Sequence, residues 1–146
     1  MTDSFAPALG AANRTLVAAV MVKAGKCGFK DITPAFASLM PHLDPTGAGM
    51  RAQELARRLG VTKQAMSQLI REVQSRGYIE QVADPSDTRA KLIQLTKRGI
   101  ALHEACHQML SSINEVALRA LGPTRVRRLQ KDLVELAKAL ATITEQ

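Results

Sequence analysis

From Arg51 onward, apolar residues recur at helical spacing between sharp stops, and the stops divide the chain into short elements. In Arg51–Leu59 (RAQELARRL) the apolar positions are Leu55, Ala56 and Leu59, and Gly60 closes the helix. Thr62 caps a second helix to about Arg76, with Met66, Leu69, Ile70 and Val73 on one side and Gly77 as the stop. Two helices joined by a short glycine-containing turn predict a helix-turn-helix, with Ala56 small at the crossing and Gly60 free to turn left-handed. Tyr78–Val82 (YIEQV) and Lys91–Leu95 (KLIQL) then read as two strands flanking ADPSDTR, a β-hairpin whose loop is longer than a two-residue turn. A hairpin in that position is a wing.

Thr96 caps a long helix from Lys97 to about Leu121, and after Gly122-Pro123 a last helix extends from Thr124 to the C-terminus. There Val126, Leu129, Leu133, Leu136, Leu140 and Ile143 recur at steps of three and four, a heptad-like seam that requires a partner. Upstream, Ala12–Lys23 reads as a short apolar helix ended by Gly25 and Gly28. Thr33-Pro34 opens another helix through about Leu43, with Phe36, Leu39 and Met40 apolar and Pro41 kinking it or ending it early. Asp44-Pro45-Thr46-Gly47 is a turn. The predicted class is mainly α with a small β-hairpin wing (α+β). Residues 47–96 form a winged helix-turn-helix, and residues 1–46 and 97–146 form a helical dimerisation region.

At 146 residues, 46% hydrophobic and 23% charged, the chain has the size and composition of one globular domain. The run Leu16–Val22 is far short of the ~20 residues of a membrane span. No basic residue precedes Arg14 and no small-x-small pattern follows the apolar run before Lys23, which predicts a cytoplasmic protein with no membrane partner. Cys27 and Cys106 are 79 positions apart without a CxxC, which predicts reduced thiols and excludes the usual zinc-ribbon and disulfide frameworks.

Charge changes the picture more. The net charge is +7, of which Arg51–Arg98 carries ten basic and five acidic residues, whereas the segments on either side are each near balance. A localised excess of that kind is a footprint for a polyanion, nucleic acid before anionic membrane. On the second helix of the pair, Thr62, Lys63, Gln64, Ser67, Gln68 and Arg71 share the first turns or the outward face. Such side chains suit base edges in the major groove, Gln for adenine and Arg or Lys for guanine or phosphate. On the wing, Arg89 suits the narrow minor groove, Asp87 is placed to orient it, and Lys91 adds a cation.

Taken together, Glu54–Gly99 (ELARRLGVTKQAMSQLIREVQSRGYIEQVADPSDTRAKLIQLTKRG) closely resembles the winged helix-turn-helix of the MarR family of bacterial transcriptional regulators. The most specific element is Asp87-Thr88-Arg89 followed by Leu95-Thr96 and Gly99, which mirrors that family's Asp-x-Arg wing and Leu-Thr-x-x-Gly helix start. The resemblance implies a homodimer of terminal helices carrying two winged lobes on double-stranded DNA with a pseudo-palindromic operator. It places the recognition helix on Thr62–Arg76 and the minor-groove arginine on Arg89. It also implies repression, released by a small-molecule effector, by oxidation or by metal. Thr88 departs from the pattern, standing where the family often has a second arginine, with one phosphate contact fewer.

The sequence also contains His103-Glu104-Ala105-Cys106-His107, of the form His-Glu-x-x-His, in which two imidazoles one turn apart can hold Zn²⁺ beside a Glu base. A small zinc hydrolase is therefore an alternative from another class, and a winged-helix DNA-binding protein without an effector is the alternative within the same one. The context favours binding over catalysis: no His follows His107, and Cys106 lies on the apolar stripe Leu102, Cys106, Met109, Ile113, Val116. No enzyme activity and no cofactor are expected. The remaining metal candidate is a regulatory site of His103, His107 and His42.

Overall fold

The structure, a computed structural model, describes residues 4–144. In order it contains α1 (Phe5–Lys26), α2 (Pro34–Leu39), a 3-10 turn (Met40–His42), β1 (Met50–Arg51), α3 (Ala52–Leu59), α4 (Lys63–Ser75), β2 (Ile79–Asp84), β3 (Asp87–Leu95), α5 (Lys97–Leu121) and α6 (Pro123–Thr144). The last two residues of the expected final helix lie outside the described residues. Residues up to Met109 form one compact unit and those from Leu110 a second.

In the first unit the caps stand where the residue types place them. Thr33 Oγ1 accepts the Phe36 N–H at 3.3 Å, with Pro34 at the first helical position, and Thr62 Oγ1 accepts the Ala65 N–H at 3.1 Å. Pro41 has no N–H to return to the preceding turn, so α2 stops at Leu39 and tightens into the 3-10 turn. Asp44 Oδ1 takes the Thr46 N–H at 2.7 Å and closes the expected turn. Gly60, at φ 65° and ψ 33°, ends α3 in the left-handed conformation.

One apolar core fills this unit. Phe36, Leu39 and Met40 come from α2 and the turn after it, Leu55 from α3, Met66, Ile70 and Val73 from α4, Tyr78, Ile79 and Ile93 from the sheet segment, and Leu102 from α5. Each such burial contributes about 1.5–3 kcal/mol, and the core draws on α2 and the start of α5 as well as on residues 47–96.

Three sequence expectations need correction. The first helix runs from Phe5 to Lys26 rather than over Ala12–Lys23. Pro7 is its third residue, where a missing N–H costs nothing, and the chain turns only at Cys27 and at Gly28, with φ 91°. By length and mean hydropathy, 1.4 over its most apolar window, α1 is apolar enough to match a membrane span, which Leu16–Val22 alone is not. Second, Arg51 belongs to a strand with Met50 rather than to the helix, which begins at Ala52; the two pair with Leu92 and Ile93 at the edge of an antiparallel sheet of order β1-β3-β2. Third, the hairpin closes through two residues, Pro85-Ser86, not a longer loop. β2 runs on through Ala83 and Asp84, and β3 begins with the exposed polar residues Asp87, Thr88 and Arg89, with no apolar alternation to mark either extension, and Asp84 Oδ1 closes the turn by accepting the Ser86 N–H at 2.8 Å and its hydroxyl at 2.6 Å.

In the second unit α5 ends at Gly122, φ 77°, and α6 begins at Pro123. Val126 is buried and Leu136 half-buried, but the other seam residues are uncovered in the single chain: Leu129 is 45% exposed, Leu133 39%, Leu140 45% and Ile143 70%.

Candidate nucleic-acid interface

The residues of α4 divide as their spacing requires. Met66, Ile70 and Val73 are buried, whereas Thr62, Lys63, Gln64, Gln68 and Arg71 are exposed. Ser67 is half-buried and its hydroxyl donates to the Lys63 carbonyl at 2.9 Å, so it is already engaged by its own helix.

The wing holds a feature that the sequence did not reveal. From Ile79↔Leu95 to Ala83↔Lys91 the ladder is regular, but the next pair is Asp84↔Asp87. Thr88, Arg89 and Ala90 therefore have no partner across the hairpin and form a bulge in β3. Arg89, exposed, is the middle residue of that bulge. Asp87 Oδ1 accepts the Arg89 backbone N–H at 3.1 Å, so Asp87 orients the Arg89 main chain. Lys91 is exposed where the regular ladder resumes.

At the closed end of the bulge lies Asp84, 6% exposed and the one buried charged residue among those described. Arg51, the last residue of β1, donates to it from Nε at 2.8 Å and lies 2.6 Å from Oδ2 through Nη2, which is also 3.7 Å from Asp87 Oδ2. The Ser86 hydroxyl and N–H, and then Arg51, hold the Asp84 carboxyl down to about 2. Its ordinary value is 3.8, so its contribution to stability is complete above about pH 3.8 and is lost as the pH falls through about 2. Urea midpoints measured from pH 7 to pH 2 should stay level to about pH 4 and then fall, and Asp84→Asn should flatten that limb.

A second network ties the start of α5 to the lobe. The Tyr78 hydroxyl donates to Asp31 Oδ1 at 2.6 Å, and Arg98 Nη2 lies 3.0 Å from Asp31 Oδ2 while its guanidinium stacks 4.1 Å from the Tyr78 ring centroid. Arg98 and Arg76 also donate to the carbonyls of Arg76 and Asp31, respectively. Burial, and then the bond to Asp31, push the Tyr78 phenol up to about 12, so it remains a donor at neutral pH.

The ion pairs show which cations are engaged. Glu54 holds Arg57 and Arg58, Glu72 holds Arg76, Asp31 holds Arg98, and Asp84 holds Arg51. Among the described residues of Arg51–Arg98, the cations left outside ion pairs are Lys63, Arg71, Arg89, Lys91 and Lys97, so much of the positive excess stands on α4 and the wing.

The histidines do not converge. His103 is half-buried, His107 and Glu104 are exposed, and among the described residues no group of three or more His, Cys, Asp or Glu is placed to hold a metal ion. His42, His103 and His107 thus form no three-ligand set within the single chain. Cys106 packs against the apolar core, and burial pushes its thiol up.

Residues 32–90 match the family model described as the MarR family. A curated relative, the multiple antibiotic resistance protein MarR of Escherichia coli, is 33% identical over 57 residues, which are 39% of this chain and 40% of that protein. The match thus spans about two-fifths of that relative's length. Two solved structures share the fold over nearly the whole chain. The Staphylococcus aureus MepR–DNA complex has a TM-score of 0.78 at 20% identity, covering 93% of this chain and 98% of that one. Streptococcus pneumoniae FabT in complex with DNA has a TM-score of 0.81 at 19% identity, covering 94% and 95%. The matched segment holds the helix pair and most of the wing, and the fold extends the likeness through α6. Over residues 32–90 the chain is thus similar to the MarR family, and its fold is a winged helix-turn-helix with flanking helices.

Proposed function

We propose that the chain is a homodimeric, sequence-specific DNA-binding transcriptional regulator, acting as a repressor on a pseudo-palindromic operator in the cytoplasm. The observation that carries this reading is the set of uncompensated cations on α4 and the wing, beside the exposed amides of Gln64 and Gln68. Lys63, Gln64, Gln68 and Arg71 read the major groove from α4. Arg89, with Lys91 beside it, enters the minor groove, and Asp87 fixes the backbone from which Arg89 extends. That MepR and FabT were both solved with DNA supports the choice of ligand. The function is binding, with no catalytic residue.

Dimerisation is supported by the uncovered seam of α6 and by α1, whose Phe5, Leu16 and Val22 are 56%, 41% and 58% exposed. In this reading residues 1–46 and 97–146 supply the dimer and 47–96 the DNA-reading lobe, and a small-molecule effector releases the complex.

Selection of a duplex from a random pool, followed by gel-shift titration at several salt concentrations, tests the reading. Wild type should enrich a pseudo-palindrome and lose affinity linearly in log salt, by about 0.9 per phosphate neutralised. Gln64→Ala or Gln68→Ala should lose about 1–3 kcal/mol of discrimination at one base pair per half-site. Arg89→Ala should bind about tenfold more weakly, with a salt slope smaller by about 1. Equal affinity for all sequences would refute sequence-specific recognition.

A further inference from the structure

Resting on the DNA-binding reading, we propose that Arg51, which lies outside both the recognition helix and the wing, is the positioning residue that sets Arg89 in register with α4. The bulge carrying Arg89 is anchored at both ends. Lys91 pairs with Ala83 in the regular ladder at one end, and at the other Asp87 pairs with Asp84 beside the two-residue turn. A bulge on an exposed hairpin has no packing of its own to fix its direction. Arg51 fixes the second end: its guanidinium takes Asp84 at 2.6 Å and 2.8 Å and faces Asp87 at 3.7 Å, and Asp87 holds the Arg89 N–H.

Arg51 is also the N-cap residue of α3, the helix that packs on α4. A continuous path thus joins the two readers: α4, α3, Arg51, Asp84 with Asp87, and Arg89. The planar guanidinium is suited to this task, because its fork reaches two carboxylates at once, whereas a lysine ammonium is a single point of charge. Arg51 also stands about half exposed, so the competing role is a phosphate contact of its own.

A double-mutant cycle on the duplex selected by wild type separates the two roles. Arg51→Lys keeps the charge and loses the fork. It should weaken binding about fivefold to tenfold when Arg89 is present, and less than about twofold in the Arg89→Ala background. Equal losses in both backgrounds would overturn the proposal in favour of an independent phosphate contact. Asp84→Asn gives a test of sign: removing a negative charge tightens DNA binding by simple electrostatics, whereas loss of the clamp weakens it. Tighter binding by Asp84→Asn overturns the proposal.

Amide hydrogen exchange on the DNA-free protein supplies an independent readout. Arg51→Lys should speed exchange at Ser86 and Arg89 and leave the α4 amides unchanged, and unaltered rates at Ser86 and Arg89 would overturn the clamp. If wild type enriches no duplex while Arg51→Lys still frees those two amides, the DNA reading and with it the register role fail, and only the structural clamp stands.

Discussion

Replacing Gly99 with alanine is expected to destabilise the chain by about 3 kcal/mol, as large an effect as any single methyl should have in this protein. A Cβ at Gly99 would stand 2.0 Å from the Tyr78 carbonyl oxygen and 3.0 Å from a Leu95 methyl. The carbonyl cannot easily retreat. It accepts the Thr96 N–H at 3.0 Å, and the Tyr78 side chain is fully buried, with its ring 4.8 Å from that of Phe36 and under the Arg98 guanidinium. Relief would require α5 to lift from the lobe and break these contacts together. In urea unfolding the midpoint should fall with an unchanged slope. Gly25→Ala in α1 is the contrast: its Cβ would meet nothing within 4 Å, and it should stabilise by about 0.5–1 kcal/mol through helix propensity. A Gly99→Ala protein within about 0.5 kcal/mol of wild type would refute the close approach.

The same geometry explains the Leu-Thr-x-x-Gly motif physically. Leu95 is buried at the end of β3. The Thr96 hydroxyl donates to the Gly77 carbonyl at 2.6 Å and accepts the Gly99 N–H at 3.1 Å, so one side chain caps α5 and joins it to the end of α4. Gly99 then lets the first turn of α5 lie against the Tyr78 backbone. Each residue of the motif serves the joint between lobe and helix.

The second large effect concerns association. Leu133→Glu, at a position 39% exposed in the single chain, should leave the helical content intact and yield a monomer in sedimentation. On the proposed two-lobed complex, affinity for the selected pseudo-palindrome should fall by about a hundredfold or more, because the second half-site is no longer reached at high effective concentration. Binding to a single half-site should change little. A Leu133→Glu protein that remains dimeric would remove α6 from the interface, and a wild-type monomer would remove the two-fold geometry altogether.

The helix pair was legible in the sequence because its signals are local. Thr62, Gly60 and Gly77 mark boundaries within one turn, and the spacing of Met66, Ile70 and Val73 determines which residues of α4 face outward, whatever the rest of the chain does. The bounds of α5 and α6 followed likewise from Thr96 and Gly122-Pro123. The MarR-type segment was legible for the same reason, since its motif is contiguous. Sequence also assigned Arg89 to the wing, though as part of a plain loop.

What only tertiary structure decided lies at long separation or on elements without a pattern. β1 is two residues long and carries no periodicity, so it exists only because β3 offers it an edge. Near the turn the wing strands carry no large apolar residue, so neither the two-residue closure nor the bulge at Thr88–Ala90 left a trace in hydrophobic alternation. Arg51 and Asp84 are 33 positions apart, Asp31 and Arg98 are 67, and no local rule pairs them. His103 and His107 show the converse: spacing placed them one turn apart, but a metal centre also needs a third ligand brought from elsewhere in the chain, and among the described residues the fold brings none.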